Sequence, residues 1–151
     1  MKHDGKWDII KLSKGELRNA VCAVQTDHPE SRPTEKERIT RGILKIGVVG
    51  CGRIGKLHIN NLINSVPGVQ VVAAADPMLD KSGAREWLAE RKITNVSTDF
   101  MDVINNPEVD VVFVCSSTDT HCDVSMAAVQ AGKHVFCEKP IDYDIDKIKK
   151  L

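Results

Sequence analysis

The sequence predicts a doubly wound α/β domain on a parallel sheet, covering the chain from about residue 43 to its end. Three observations predict it. Short apolar runs alternate with helix-period segments from Leu44 onward. A glycine-rich loop directly follows the first run. The second run ends on a lone carboxylate, Asp76.

Composition narrows the function classes. At 151 residues the chain has room for one ordinary domain with a real core. Lys+Arg and Asp+Glu both number 21, so the formal net charge is zero. A nucleic-acid partner held by counterion release, or an anionic membrane surface, would call for a basic excess. No apolar run approaches the roughly 20 residues of a spanning helix. Met1–Ile10 is charged and lacks the apolar centre of a signal peptide. A soluble, cytoplasmic protein is expected, with no nucleic-acid or membrane partner. The five cysteines (Cys22, Cys51, Cys115, Cys122, Cys137) are odd in number, show no CxxC spacing and stand apart from the histidines. Buried, reduced thiols are therefore expected rather than disulfides or a metal site.

Charge density changes near residue 42. The first 42 residues carry 16 charged side chains and the following 109 carry 26, so the two segments are read separately. Thr26–Thr40, with two prolines, reads as a solvated linker. Before it, Trp7–Leu12 is expected as a short strand. Glu16–Val24 is expected as a weak helix with Leu17, Val21 and Val24 on one face. No function is assigned to residues 1–42.

The later elements follow in order. Leu44–Val49 is an apolar strand, and Ile54–Ser65 a helix with Ile54, Leu57, His58, Asn61 and Leu62 on one face. Val69–Ala75 is a second strand, and Lys81–Arg91 a helix around Trp87 and Leu88. A short strand near Val96 precedes a brief helix capped by Asp99 and ended by Asn106-Pro107. Asp110–Cys115 is continuously apolar, as in a strand buried on both faces. Thr120–Ala131 is a helix with Cys122, Met126 and Val129 inward, stopped by Gly132. His134–Cys137 is the next strand, and a last helix starts at Asp144. In such a sheet the ligand lies at the carboxyl ends of the strands, where the strand order reverses.

Gly50-Cys51-Gly52-Arg53-Ile54-Gly55 is a GxGxxG between a strand and a helix. Gly50 permits the tight turn, Gly52 lets a pyrophosphate approach the backbone, and Gly55 lets helix and strand pack closely. The free N–H groups of the first helical turn, Arg53 and Ile54 included, then face the phosphates. Asp76 lies 21 residues past Gly55, where a carboxylate accepts from adenosine ribose hydroxyls. It also repels a 2′-phosphate, and Pro77 and Met78 supply no arginine to neutralise one. These features predict a Rossmann-type domain with NAD rather than NADP as cofactor. The alternative is a surface loop whose glycines serve turn geometry, with Asp76 as a helix cap.

Two further strand ends carry polar clusters. Ser116, Ser117 and His121 follow the Asp110–Cys115 strand, where small hydroxyl residues let a nicotinamide lie close to the backbone. Ordinary capping by Thr118 or Asp119, with His121 in the first turn, explains the same residues. Glu138-Lys139-Pro140 ends the following strand. Pro140 keeps Lys139 out of the helical region, so its ammonium is held at the cleft and suits a substrate hydroxyl. An exposed Glu-Lys pair at a surface turn fits equally.

Taken together, Lys45–Gly55, Ala74-Ala75-Asp76-Pro77, Asp110–Cys115 with His121, and Ala131–Pro140 resemble the Gfo/Idh/MocA oxidoreductase family. The AGKHVxxEKP wording is the most specific of these. The resemblance covers Leu44–Leu151 and none of the first 42 residues. Within the family, Ser-Thr-Asp-Thr-His and the Cys-Gly-Arg-Ile-Gly loop are most similar to the inositol 2-dehydrogenase subgroup. Ser117 stands where many relatives have proline.

The resemblance implies an NAD-dependent dehydrogenase that oxidises a secondary hydroxyl of a cyclitol or sugar, with myo-inositol, going to its 2-keto product, the expected substrate. It makes Lys139 the catalytic cation. Ser116, Ser117 and His121 become cofactor-side residues, and Glu138 and Lys139 contacts to the nicotinamide ribose and substrate. In such enzymes a histidine after the Rossmann half accepts the proton, and this sequence has no histidine after His134. The expectation is a fragment without base, substrate domain or homo-oligomer contacts, and inactive alone. A non-enzymatic NAD-binding module and a truncated gene product are the rivals. The Cys137 strand is also expected to expose an apolar outer edge and promote self-association.

Overall fold

The structure, a computed structural model, describes residues 22–24 and 42–151. Its elements are β1 (Cys22–Val24), β2 (Leu44–Val49), α1 (Arg53–Ser65), β3 (Val69–Ala75), α2 (Ala84–Ala89), β4 (Val96–Ser97), α3 (Phe100–Ile104), β5 (Val111–Val114), α4 (His121–Gln130), β6 (His134–Cys137) and α5 (Ile145–Lys150). A 3₁₀ turn, Thr118–Thr120, leads into α4. The sheet order is β1-β6-β5-β2-β3-β4. All pairings are parallel except β1 with β6.

This is the predicted Rossmann-like architecture. The chain leaves β2 for β3 on one side and later returns to β5 on the other. Their carboxyl ends diverge there, which opens the crevice. Asp99 caps α3, its side chain accepting from Met101 N at 2.9 Å. Asp144 caps α5 in the same way. Gly132, at φ 72°, takes the left-handed conformation that ends α4.

Two cores flank the sheet. Ile46, Val48, Ile59, Leu62, Leu79 and Leu88 fill the side under α1 and α2. Val103, Ile104, Val109, Val112, Val114, Val124 and Val135 fill the side under α3 and α4. Cys51, Cys115 and Cys122 are free and buried, as expected of reduced thiols, and Cys137 is buried as well.

Several expectations are corrected. Cys22–Val24, read as the end of a weak helix, is a strand, with Cys22 opposite Cys137 and Val24 opposite Val135. The outer edge of β6 is therefore paired rather than exposed, and its backbone groups find partners in the chain's own N-terminal region. Trp7–Leu12, the first part of the Glu16–Val24 reading and the Thr26–Thr40 linker lie outside the described residues. The helix expected over Lys81–Arg91 is shortened to α2, because turns occupy the residues after Asp76 and Gly83 adopts φ 66°.

Two buried helix faces also differ. In α1, Gly55, Ile59 and Leu62 are buried, whereas Leu57 is 53% exposed. Gly55 brings its own face closest to the sheet, so the stripe through Ile54, Leu57 and His58 borders an open groove. In α4 the face against the sheet is His121, Cys122, Val124, Ser125 and Ala128, while Met126 and Val129 are half-buried. Small side chains let the helix approach closely, and the larger ones lie at its flanks. β5 is fully buried on one face, through Val112 and Val114, and half-buried on the other, where Val111 and Phe113 pack against the core on the α1 side.

Candidate functional site

A cleft of about 640 Å³ opens at the carboxyl ends of β2, β3 and β5. That is a typical size for a small-molecule site. Gly50, Gly52, Asp76, Ser116 and Ser117, all expected there from sequence, line it. Pro77, Thr98, Asp99, Phe100, Thr120 and Val124 line it as well. Sequence reasoning assigned Asp99 only to capping and passed over Thr98 and Phe100. Their position just past β4 was the available signal, since every strand end on this side of the sheet reaches the crevice.

The loop after β2 divides its tasks among three glycines. Gly50 sits at φ 95°, and a Cβ there would collide with the backbone of Cys115 and Ser116. A Cβ on Gly55 would strike the carbonyl oxygen of Gly50. Gly52 differs: nothing lies within 4 Å of where its Cβ would stand. The bare backbone at Gly52 thus faces open space at the start of α1, a 13-residue helix with no side-chain cap. Its first N–H groups are available to an anion. Arg53 is exposed in that first turn, Ile54 is half-buried, and neither lines the cleft wall.

Asp76 ties the acidic strand end to this loop. Its Oδ2 accepts from Cys51 N at 2.7 Å and its Oδ1 from Met78 N at 2.7 Å. A carboxylate offers about four lone-pair sites, so two backbone donors leave capacity for ligand hydroxyls. Beneath the loop, burial first and the Asp76 charge second push the Cys51 thiol up to about 12. It stays protonated, 3.7 Å from the carbonyl of Ala75, and is no nucleophile.

On the opposite wall, Thr120 Oγ1 donates to the Ser117 carbonyl at 2.7 Å. Its proton being used, the 2.7 Å contact between Ser116 Oγ and Thr120 Oγ1 has Ser116 as donor. Ser116 Oγ then retains its lone pairs toward the cleft.

The structure places His121, Glu138 and Lys139 outside that lining. His121 is 2% exposed, with Nδ1 2.8 Å from the Pro140 carbonyl and Nε2 3.0 Å from the Ser116 carbonyl. Each carbonyl only accepts, and a neutral ring carries one N–H, so the tautomer with its proton on Nδ1 pairs with Pro140 and the one with its proton on Nε2 pairs with Ser116. Glu138 turns toward α1, its Oε1 2.6 Å from His58 Nε2 and its Oε2 accepting from Lys139 N at 3.0 Å. Burial pushes the Glu138 carboxyl up. The hydrogen bonds from His58 and the Lys139 N–H, with the charges of both residues, outweigh this and hold it below its ordinary value. Lys139 follows β6 and forms a cis peptide with Pro140. With Glu138 and His58 it borders the groove beside α1.

The donor set suits a dinucleotide. Open backbone at Gly52 and an uncapped helix start suit a pyrophosphate, and Asp76 suits a ribose diol. Among the described residues no group of three His, Cys, Asp or Glu is arranged to hold a metal ion. No helix among them is long and apolar enough to cross a membrane.

Comparison with known proteins agrees with this geometry. A family model for Gfo/Idh/MocA, an oxidoreductase family with an NAD-binding Rossmann fold, matches residues 44–151. The inositol 2-dehydrogenase of Salmonella typhimurium is 43% identical over 100 residues, covering 65% of this chain and 29% of that protein. The myo-inositol 2-dehydrogenase of Thermotoga maritima is 36% identical over 108 residues, covering 72% and 31%. The crystal structure of myo-inositol dehydrogenase from Lactobacillus casei, in complex with NAD(H) and myo-inositol, superposes with a TM-score of 0.65 at 30% identity. That match covers 72% of this chain and 32% of the other. The chain thus spans about a third of the length of the relatives it matches. It belongs to the Gfo/Idh/MocA oxidoreductase family and carries that family's NAD-binding Rossmann fold over residues 44–151.

Proposed function

We propose that this chain is the dinucleotide-binding part of an NAD-dependent dehydrogenase that oxidises a secondary hydroxyl of a cyclitol, myo-inositol first among the candidates. The observation that carries the reading is the loop at Gly52. Bare backbone and free helical N–H groups face a cleft whose next strand end presents the Asp76 carboxylate. Bound there, NAD supplies the hydride acceptor.

The chain's own residues divide the remaining work. Gly52 with the N–H groups of Arg53 and Ile54 holds the pyrophosphate, and Asp76 accepts from the adenosine ribose. Asp76 and Asp99, both on the cleft wall, repel a 2′-phosphate and so favour NAD over NADP. Ser116 and Ser117 border the nicotinamide half. The Lys139 ammonium polarises the substrate hydroxyl and stabilises the developing alkoxide. The relatives' names supply the substrate class, since those matched act on inositols. The setting is the cytoplasm, and any homo-oligomer forms through parts beyond this domain.

Proton removal needs a free base, and the titratable groups beside Lys139 in its groove, His58 and Glu138, are paired with each other at 2.6 Å. Incubation of the purified chain with NAD and myo-inositol is therefore expected to give little or no NADH absorbance. Turnover typical of a whole dehydrogenase would overturn this part of the reading. A second reading, a self-contained NAD-binding module, is favoured by one observation: β1 covers the outer edge of β6 from within the chain. Saturable NAD binding by a monodisperse, inactive chain supports it.

A further inference from the structure

We infer that His58 and His121 are positioning residues that brace Lys139 from both sides, and that Glu138 is part of this brace. The inference rests on the reading of Lys139 as the substrate-facing cation. It assigns to Glu138 and His121 a task different from touching the cofactor.

The brace before Lys139 starts on α1, the helix that opens at the phosphate loop. His58 Nε2 lies 2.6 Å from Glu138 Oε1. An ionised carboxylate only accepts, so Nε2 carries the proton and donates. The other oxygen, Oε2, accepts the Lys139 backbone N–H at 3.0 Å. One carboxylate thus joins a helix side chain to the main chain of the next residue. The ring of His58 is itself held edge-on against Phe136 at 5.2 Å and Phe113 at 6.0 Å. Those two phenyl rings stack at 4.0 Å between centroids. His58 therefore has little freedom to swing away.

The brace after Lys139 starts on α4. Pro140 has no N–H to pair, and its carbonyl is taken by His121 Nδ1 at 2.8 Å. The other nitrogen of the same buried ring is 3.0 Å from the Ser116 carbonyl, on the cleft wall. The ring of His121 thus lies between the ends of β5 and β6, and with its proton on Nδ1 it holds the Pro140 carbonyl. The sheet ladder stops at Glu138, whose N–H donates to Val114 O at 2.9 Å. Beyond that point the two histidines, rather than the sheet, fix the backbone from which the Lys139 ammonium projects. A side chain that must meet a substrate oxygen within a few tenths of an ångström benefits from such fixed footing.

Amide hydrogen exchange on the whole chain, read residue by residue by NMR, tests the brace without any turnover. His58→Phe keeps the ring packing and removes the donor. It is expected to speed exchange at the Lys139 amide by about tenfold or more, the scale of a lost hydrogen bond to a charged group. Val112 and Val114 amides in β5 are expected to stay as they were. His58→Gln, which restores an N–H donor, is expected to recover most of the protection. His121→Leu is expected to loosen Lys139 more than Val112 and Val114. Unchanged Lys139 exchange in both His58→Phe and His121→Leu overturns the inference. So does a rise matched at Val112 and Val114, which reports lost stability alone. Failure of the chain to bind NAD would instead count against the dinucleotide reading, and the exchange pattern would still report on the brace.

Discussion

The carboxylate of Asp76 accepts a hydrogen bond from the backbone N–H of Cys51 at 2.7 Å, tying the end of β3 to the loop that opens α1. The residue expected to meet the ribose thus also shapes the loop expected to meet the pyrophosphate. Asp76→Asn loses the charge that favours both contacts. NAD affinity is expected to fall about tenfold or more, and the margin over NADP to narrow. Calorimetric titration with each dinucleotide checks this.

Gly52 and Gly55 separate binding from folding. A methyl at Gly52 meets no protein atom, so Gly52→Ala is expected to change stability by no more than about 0.5 kcal/mol. It is nonetheless expected to weaken NAD binding, because the methyl stands where the pyrophosphate approaches. Gly55→Ala would force α1 away from the Gly50 carbonyl and cost about 1–3 kcal/mol. Thermal unfolding beside ligand titration distinguishes the two variants.

Glu138 links the site to pH. Its folded-state carboxyl titrates below the ordinary value of 4.5. Its contribution to stability is therefore complete above about 4.5 and is lost as pH falls through the depressed folded value. Glu138→Gln is expected to lower stability at neutral pH and to flatten the acid limb of the stability curve. Denaturant midpoints measured from pH 3 to pH 7 provide the check.

The pairing of β1 with β6 has a consequence for association. Removing residues 1–24 is expected to expose the β6 edge, with Val135, Phe136 and Cys137 along it, to other chains. Light scattering is expected to show a concentration-dependent rise in mass for the shortened chain and none for the full one. Equal behaviour of the two would mean that the edge strand does not protect the sheet.

Much of this architecture was legible before the structure. β2, β3 and β6 have the bounds read from their apolar runs, because each run ends at a glycine or a charged residue. GxGxxG and Asp76 were legible because their spacing reflects one geometric task. β1 was not, since a three-residue edge strand is held by backbone pairing and leaves no periodic pattern in a charged stretch. The inward face of α4 was misread because closeness to the sheet selected Ser125 and Ala128 over Met126 and Val129. The place of Asp99 at the cleft was hidden because capping already explained it, and Phe100 follows a two-residue strand too short to mark its own end. The link from His58 to Glu138 spans 80 residues, and nothing local in the sequence announces it.

The central claim is that Gly52 and Asp76 form an NAD site within this chain. Isothermal titration of the purified chain with NAD and with NADP tests it most directly. The account predicts one saturable NAD site per chain and NADP binding weaker by about tenfold or more, as two carboxylates facing a 2′-phosphate require. A folded chain that binds neither dinucleotide, or that prefers NADP, would contradict it.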